Sequence, residues 1–155
     1  MNIRTAKKTD LDAINQLIHA AVMDWKLPER VKQLSVTSYY YNDIDLKHLD
    51  IIVAEENKKI LAVAALEKEA NFSLPKRDAI LLHGIYVLPE QQGTGLGRKL
   101  FYEIEAMAHA KQAGAILVKA QKDAEGFFRA MGLEKLDVID SNRDYENRYW
   151  KNLNH

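Results

Sequence analysis

Residues 91–98 read Gln91-Gln92-Gly93-Thr94-Gly95-Leu96-Gly97-Arg98. They follow a run with strand character, Ala79 to Leu88, and open a strongly helical one. Three glycines in five positions carry an extra entropic cost on folding. What they supply is bare backbone, whose N–H groups can touch an anion at the positive end of a helix. A diphosphate suits such a cradle; the plainer alternative is a glycine-rich turn that only caps the helix. The spacing separates this loop from two related ones. A P-loop needs Gly-x-x-x-x-Gly-Lys-Ser/Thr, but Gly97-Arg98-Lys99-Leu100 offers no hydroxyl to hold magnesium. A dinucleotide fingerprint needs Gly-x-Gly-x-x-Gly early in a βαβ unit. Here the spacing is Gly-x-Gly-x-Gly, past the middle of the chain.

Working outward from the loop, Leu96, Leu100, Ile104, Met107 and Ala108 form the buried stripe of a helix from about Gly95 to Ala113. Gly114 reads as its terminator. Upstream, Ala79 to Val87 is apolar nearly throughout, as a central buried strand should be, and Pro89 ends it. A hairpin precedes it, with Ile51 to Glu55 and Ile60 to Leu66 flanking a polar turn. Glu67 to Arg77 reads as a connection and Ser35 to Leu49 as irregular. At the start, a short strand near Asn2 to Arg4 leads into an amphipathic helix over Asp10 to Met23. A second helix spans Glu29 to Leu34. Downstream come a strand at Ala115 to Ala120 and a helix at about Asp123 to Met131. A final antiparallel pair takes Leu133 to Val138 and Tyr145 to Leu153. The predicted order is βααβββαβαββ, a mixed α+β arrangement.

The 155 residues suit one domain, 1–155. With 22 basic and 22 acidic side chains the net charge is zero. That argues against general nucleic-acid binding, which needs a phosphate-neutralising excess. The absence of cysteine removes disulfides, thiolate nucleophiles and thiolate metal ligands. No pair of histidines has metal-site spacing. The N-terminal residues lack the apolar stretch of a signal peptide, and the longest apolar runs are too short to span a bilayer. The expectation is a cytoplasmic protein that binds neither membrane nor metal.

Gln92-Gly93-Thr94-Gly95-Leu96-Gly97 resembles the Gln/Arg-x-x-Gly-x-Gly/Ala signature of the GCN5-related N-acetyltransferases, the GNAT superfamily. A second block agrees. Ala124-x-x-Phe127-Phe128-x-x-x-Gly132-Leu133 is similar to the family's Asn-x-x-Ala-x-x-Phe-Tyr-x-x-x-Gly-Phe. The element order also matches. The resemblance implies a central mixed, strongly twisted sheet flanked by helices, with acetyl-CoA as cosubstrate. Homodimers are frequent in the family. Gln92, Gly93, Thr94, Gly95, Leu96, Gly97 and Arg98 would then hold the diphosphate. Ile85, Tyr86 and Val87 would line the pantetheine arm, and Gln121 and Phe128 would lie against the cofactor. Two departures stand out: Gln121 replaces the family's asparagine, and Phe128 replaces a tyrosine whose hydroxyl protonates the departing thiolate in many members. Phe127 reads as core packing. Tyr86, Tyr102, Tyr145 and Tyr149 are the candidate substitutes for the missing hydroxyl.

The resemblance implies acetyl transfer to a primary amine of a small molecule, amino acid or protein, by direct attack in a ternary complex. An amine is largely protonated at neutral pH, with pKa values of about 8 to 10. A general base therefore helps. His83 is the candidate, because some arylalkylamine acetyltransferases place a histidine there. Strand alternation would put it on one face with Ile85 and Val87; the alternative is a structural histidine. The acceptor would lie against Trp25 to Tyr41, Phe72 and the segment after Asp140. Tyr39, Tyr40, Tyr41, Asp43 and Asp45 could frame a cationic amine, although a solvated acidic loop with packed tyrosines explains them more simply. The rival in another class is an acyl-CoA-binding regulatory module of the same fold without transfer activity. A different nucleotide-binding domain is disfavoured by the glycine spacing.

Overall fold

In the computed structural model, residues 1–74, 77–137 and 147–153 are described. Among them eight strands form one mixed sheet in the order β1-β2-β3-β5-β6-β8-β7, with β4 alongside β5. The strands are β1 Asn2–Thr5, β2 Leu49–Glu56, β3 Lys59–Glu67, β4 Phe72–Leu74, β5 Arg77–Val87, β6 Ala115–Lys119, β7 Glu134–Lys135 and β8 Arg148–Asn152. The helices are α1 Leu11–Met23, α2 Glu29–Ser35, α3 Asp43–His48, α4 Leu96–Ala110 and α5 Glu125–Ala130. The sheet is open, and the one parallel pairing among the described residues joins β5 to β6.

Helices cover both faces at the centre, which explains why β3 is buried from Ile60 to Leu66: α1 and α4 both pack against it. The α1 stripe of Ile14, Leu17, Ile18, Ala21 and Val22 follows the period of 3.6 and faces the sheet. On α4 the buried set is Leu96, Leu100, Phe101, Ile104 and Ala108. Fully burying one such Leu, Ile or Phe contributes about 1.5–3 kcal/mol relative to exposure. Among the described residues no helix is long and apolar enough to cross a membrane.

The structure departs from the predicted elements in three places. Residues 35–49 are not irregular: a 3-10 turn at Val36–Tyr39 is followed by α3. Asn42 caps α3 by accepting from the Asp45 N–H, and the Asp45 carboxylate accepts from the Asn42 N–H, a reciprocal box with Asn and Asp in place of Ser and Glu. The connection before β5 contains β4, which pairs with the start of β5 from Phe72–Ala79 to Leu74–Arg77. Finally, α4 stops at Ala110, and Gln112 rather than Gly114 takes the left-handed conformation, with φ 59°. The Ala113 N–H reaches back to the Ala108 carbonyl, so the turn geometry is supplied by local hydrogen bonds instead of a glycine. Val138 and Tyr145, the inner limits of the expected last strand pair, lie outside the described residues; β7 and β8 form the antiparallel pair between them.

Candidate functional site

β5 and β6 pair in parallel only from Ala79–Ala115 to Leu82–Val118. Beyond that point they part. β5 continues to Val87 paired with β3 alone, while Lys119 at the end of β6 pairs with Arg148 of β8. Among the described residues, the edge of β5 that faced β6 is thus left without a strand over its last residues. An extended molecule could pair with those backbone groups.

A cavity of about 580 Å³ occupies this gap. One wall is Ile85, Tyr86 and Val87; a second is the glycine loop, with Gln91, Gln92, Gly93, Gly95, Gly97 and Arg98. The end of α1 contributes Ala21, Asp24, Trp25 and Lys26, and the region of α5 contributes Asp123, Ala124, Phe127, Ala130 and Met131.

The loop is built for close approach. Gly93 and Gly95 have φ of 78° and 85°, a region other L residues enter at a cost. A Cβ at either would meet no protein atom within 4 Å, so the space in front of them is open. Gly97 differs: a Cβ there would stand 3.1 Å from Phe127 Cε1 and 3.7 Å from Val87 Cγ2. Thr94 Oγ1 donates to the Gln91 carbonyl at 2.6 Å and closes the turn. Leu96 is buried and anchors the start of α4. The first intrahelical bond at this end runs from the Lys99 N–H to the Gly95 carbonyl at 3.1 Å. The N–H groups of Leu96, Gly97 and Arg98 are left for an outside acceptor, at the positive end of a 15-residue helix. Arg98 is exposed beside them, with Nη1 donating to the Tyr102 hydroxyl at 3.0 Å.

The structure therefore brings together Ile85, Tyr86, Val87, Gln92, Gly93, Gly95, Gly97 and Arg98 around one cavity. Thr94 and Leu96 shape the loop without lining the space. Gln121 and Phe128 do not line it either. Gln121 Nε2 donates to the Tyr39 hydroxyl at 3.1 Å. Phe128 is only 3% exposed and belongs to the core, whereas Phe127 faces the cavity. This reverses the roles expected of the two phenylalanines, because successive residues of a helix point about 100° apart. The spacing of Ala124, Phe127, Ala130 and Met131, every third or fourth residue, was the signal for the cavity face.

His83 stands at the apex, the first residue of β5 beyond the last β5–β6 pair. The register with β3 shifts here: Ala65 faces Gly84 and Leu66 faces Leu82, leaving His83 unpaired. Simple alternation with Ile85 and Val87 is interrupted by this bulge. The ring does not line the cavity; its Nε2 lies 3.1 Å from Glu67 Oε1, and the side chain is 41% exposed.

Of the tyrosines, Tyr149 is fully buried and Tyr102 is exposed; Tyr145 lies outside the described residues. Tyr86 alone of the four lines the cavity. Burial, with Tyr39 adding, pushes its phenol above the ordinary range, so it keeps its proton at neutral pH. Trp25 packs edge-on against Tyr39 with centroids 5.2 Å apart, and Tyr39 against Tyr86 at 6.5 Å. The acidic stretch takes the plainer role: Asp45 caps α3 and Asp43 pairs with Lys8 at 3.4 Å. Tyr41 is buried with its backbone held by Asn15, and the Tyr40 hydroxyl meets His19 Nδ1 at 2.8 Å. Among the described residues, no group of three or more His, Cys, Asp or Glu stands where it could hold a metal ion.

An open mixed sheet, a central parallel pair that splays, and a glycine loop at the head of a helix beside the splay together frame the site. A sequence model of the acetyltransferase (GNAT) domain matches residues 18–143, and the chain belongs to the GNAT acetyltransferase family. It is 26% identical over 143 residues to an uncharacterised N-acetyltransferase of Methanocaldococcus jannaschii. That match covers 88% of this chain and 62% of the relative, so the chain spans less than two thirds of the relative's length. Among solved structures, it is similar to the PaiA N-acetyltransferase of Thermoplasma acidophilum in complex with coenzyme A. There the TM-score is 0.79 at 14% identity, over 97% of this chain and 98% of that one. It is also similar to a GNAT family acetyltransferase of Brucella melitensis in complex with acetyl-CoA. In that case the TM-score is 0.66 at 20% identity, over 99% of this chain and 88% of the other. At such identities the likeness is one of fold.

Proposed function

We propose that residues 1–155 form a domain that moves an acetyl group from acetyl-CoA to a primary amine, by direct attack within a ternary complex. One observation carries this reading: the free N–H groups at the head of α4 and the unpaired edge of β5 open into the same cavity. A diphosphate suits the first and the amide-bearing pantetheine arm suits the second. The coenzyme complexes of the two structural relatives support the pairing.

The chemistry follows from this placement. With its diphosphate on Gln92 to Arg98, the arm lies along Ile85 to Val87 and directs the thioester toward the apex at His83. The amine nitrogen attacks the carbonyl carbon, a C–N bond forms and the C–S bond breaks. Backbone N–H groups of the free β5 edge are suited to stabilise the oxyanion that develops. His83 takes the surplus amine proton, through a water because its ring stands outside the cavity wall, and Glu67 orients it. The thiolate can leave without a partner acid. With a thiol pKa of about 8.5, the shortfall at pH 7 is about 1.5 units, a factor of roughly 30 at most. The aromatic wall of Trp25 and Tyr86, which both pack against Tyr39, is the place for the acceptor.

His83→Ala should lower turnover at neutral pH by roughly 10²-fold, with coenzyme binding unchanged. Steady-state thiol release checks this, and equal activity at all pH values removes His83 from the mechanism. The rival reading, a coenzyme-binding module without transfer, draws on the position of His83 outside the cavity lining. Thiol release across a panel of amines separates the two once calorimetry has shown coenzyme binding. Release with any amine supports transfer, and none with every amine supports the module.

A further inference from the structure

Among the described residues, no pairing of β5 with β6 continues beyond Leu82 and Val118. On one side of the gap, α1 packs on β3 and β5, and the turn after it carries Trp25 and Lys26. On the other side, Gln121 and a 3-10 turn at Lys122–Ala124 follow β6 directly. Among the described residues, two side-chain hydrogen bonds join these sides. The Lys26 backbone N–H donates to Asp123 Oδ2 at 2.7 Å, and Gln121 Nε2 donates to the Tyr39 hydroxyl at 3.1 Å. They link residues 97 and 82 positions apart in the chain. Lys26 and Asp123 both line the cavity, and both are exposed, so their bond can break and re-form against water.

We propose that these two bonds form a bridge across the open side of the cleft, and that Gln121 and Asp123 are positioning residues that govern entry and release of the coenzyme. The inference rests on the binding reading above. It accounts for two features. The Asp123 carboxylate, an unwelcome neighbour for a diphosphate, is turned to a backbone N–H on the opposite lip. The Gln121 amide, which stands where the family has asparagine, reaches the far side through its longer side chain. Closing the bridge confines a bound arm between β5 and the α1 turn; opening it frees a route to solvent.

Stopped-flow tryptophan fluorescence with coenzyme A tests this, since Trp25 sits in the cavity wall. Asp123→Ala combined with Gln121→Ala should speed coenzyme release by about tenfold, on the usual worth of two hydrogen bonds. Asp123→Asn should release no faster than wild type, because its amide oxygen can accept the same N–H while the charge facing the diphosphate is gone. Three results would overturn the bridge: an unchanged release rate in the double variant, a lower melting temperature without faster release, or an Asp123→Asn rate equal to that of Asp123→Ala. A wild-type protein that binds no coenzyme A overturns the binding reading and the bridge with it. Binding with no effect of the variants overturns the bridge alone.

Discussion

Gly95 and Gly97 lie two residues apart and resist substitution for different reasons. At Gly95 the backbone is left-handed and the space ahead is empty. A side chain there costs about 1–2 kcal/mol in strain and projects into the region assigned to phosphate. At Gly97 the conflict is with Phe127. Gly95→Val and Gly97→Val should each weaken acetyl-CoA binding at least tenfold, measured by titration calorimetry on folded protein. Wild-type affinity in both would refute the loop's role. Phe128 offers the converse case. Had it faced the thiol, Phe128→Tyr would restore an acid and raise turnover. Because it is buried, the new hydroxyl enters the core. The expected outcome is a loss of about 1–3 kcal/mol in urea unfolding with no gain in turnover; a gain would place the ring in the site after all.

At the scale of elements, the short helix α2 does more than connect. Its Lys32 is buried, and Nζ donates to the carbonyls of Met23 at 2.7 Å and Trp25 at 3.1 Å while pairing with Glu29 at 3.1 Å. A cation at the C-terminal end of α1 meets the negative end of its dipole. It also fixes the turn that delivers Trp25 and Lys26 to the cavity. Lys32→Met keeps the stem but strands those carbonyls. It should cost about 1–3 kcal/mol by urea unfolding; a neutral result would mean that water replaces the ammonium. Meanwhile Val31 and Leu34 on the same helix are exposed, so burial here follows the carbonyls that need a donor, not the hydropathy of the helix. Element type was largely legible from periodicity, as in the stripes of α1 and α4. α3 is not legible because six residues are too short to display a helical period, and β4 because three residues carry too little alternation to register.

Across the whole molecule, one charge cluster ties the N-terminal strand to the body. Arg4 donates to Asp10 at 2.8 and 3.0 Å and to Glu55 of β2 at 2.9 Å. Hydrogen bonds from Arg4 hold both the Asp10 and Glu55 carboxyls below their usual range. A depressed carboxyl contributes stability that is present above its unfolded pKa, about 4, and is lost as pH falls through the folded value. Arg4→Met should therefore destabilise the fold at pH 7 and by less near pH 3, where part of the carboxylate contribution is already lost. Urea titrations at the two pH values check this; an equal gap at both would show that packing of the Arg4 stem matters, not its charge.

By itself, the order of residues determined the glycine cradle, the alternation of helices with an open mixed sheet, and the apolar stripes that bury them. These are local facts of backbone freedom and of periods of two or 3.6. Only the tertiary structure decided which of Phe127 and Phe128 meets the cavity and that Gln121 reaches across to Tyr39. It also decided that His83 sits in a bulge where two strands part. Each of those depends on register or helix phase between segments far apart in the chain, where a shift of one residue turns a side chain to another face.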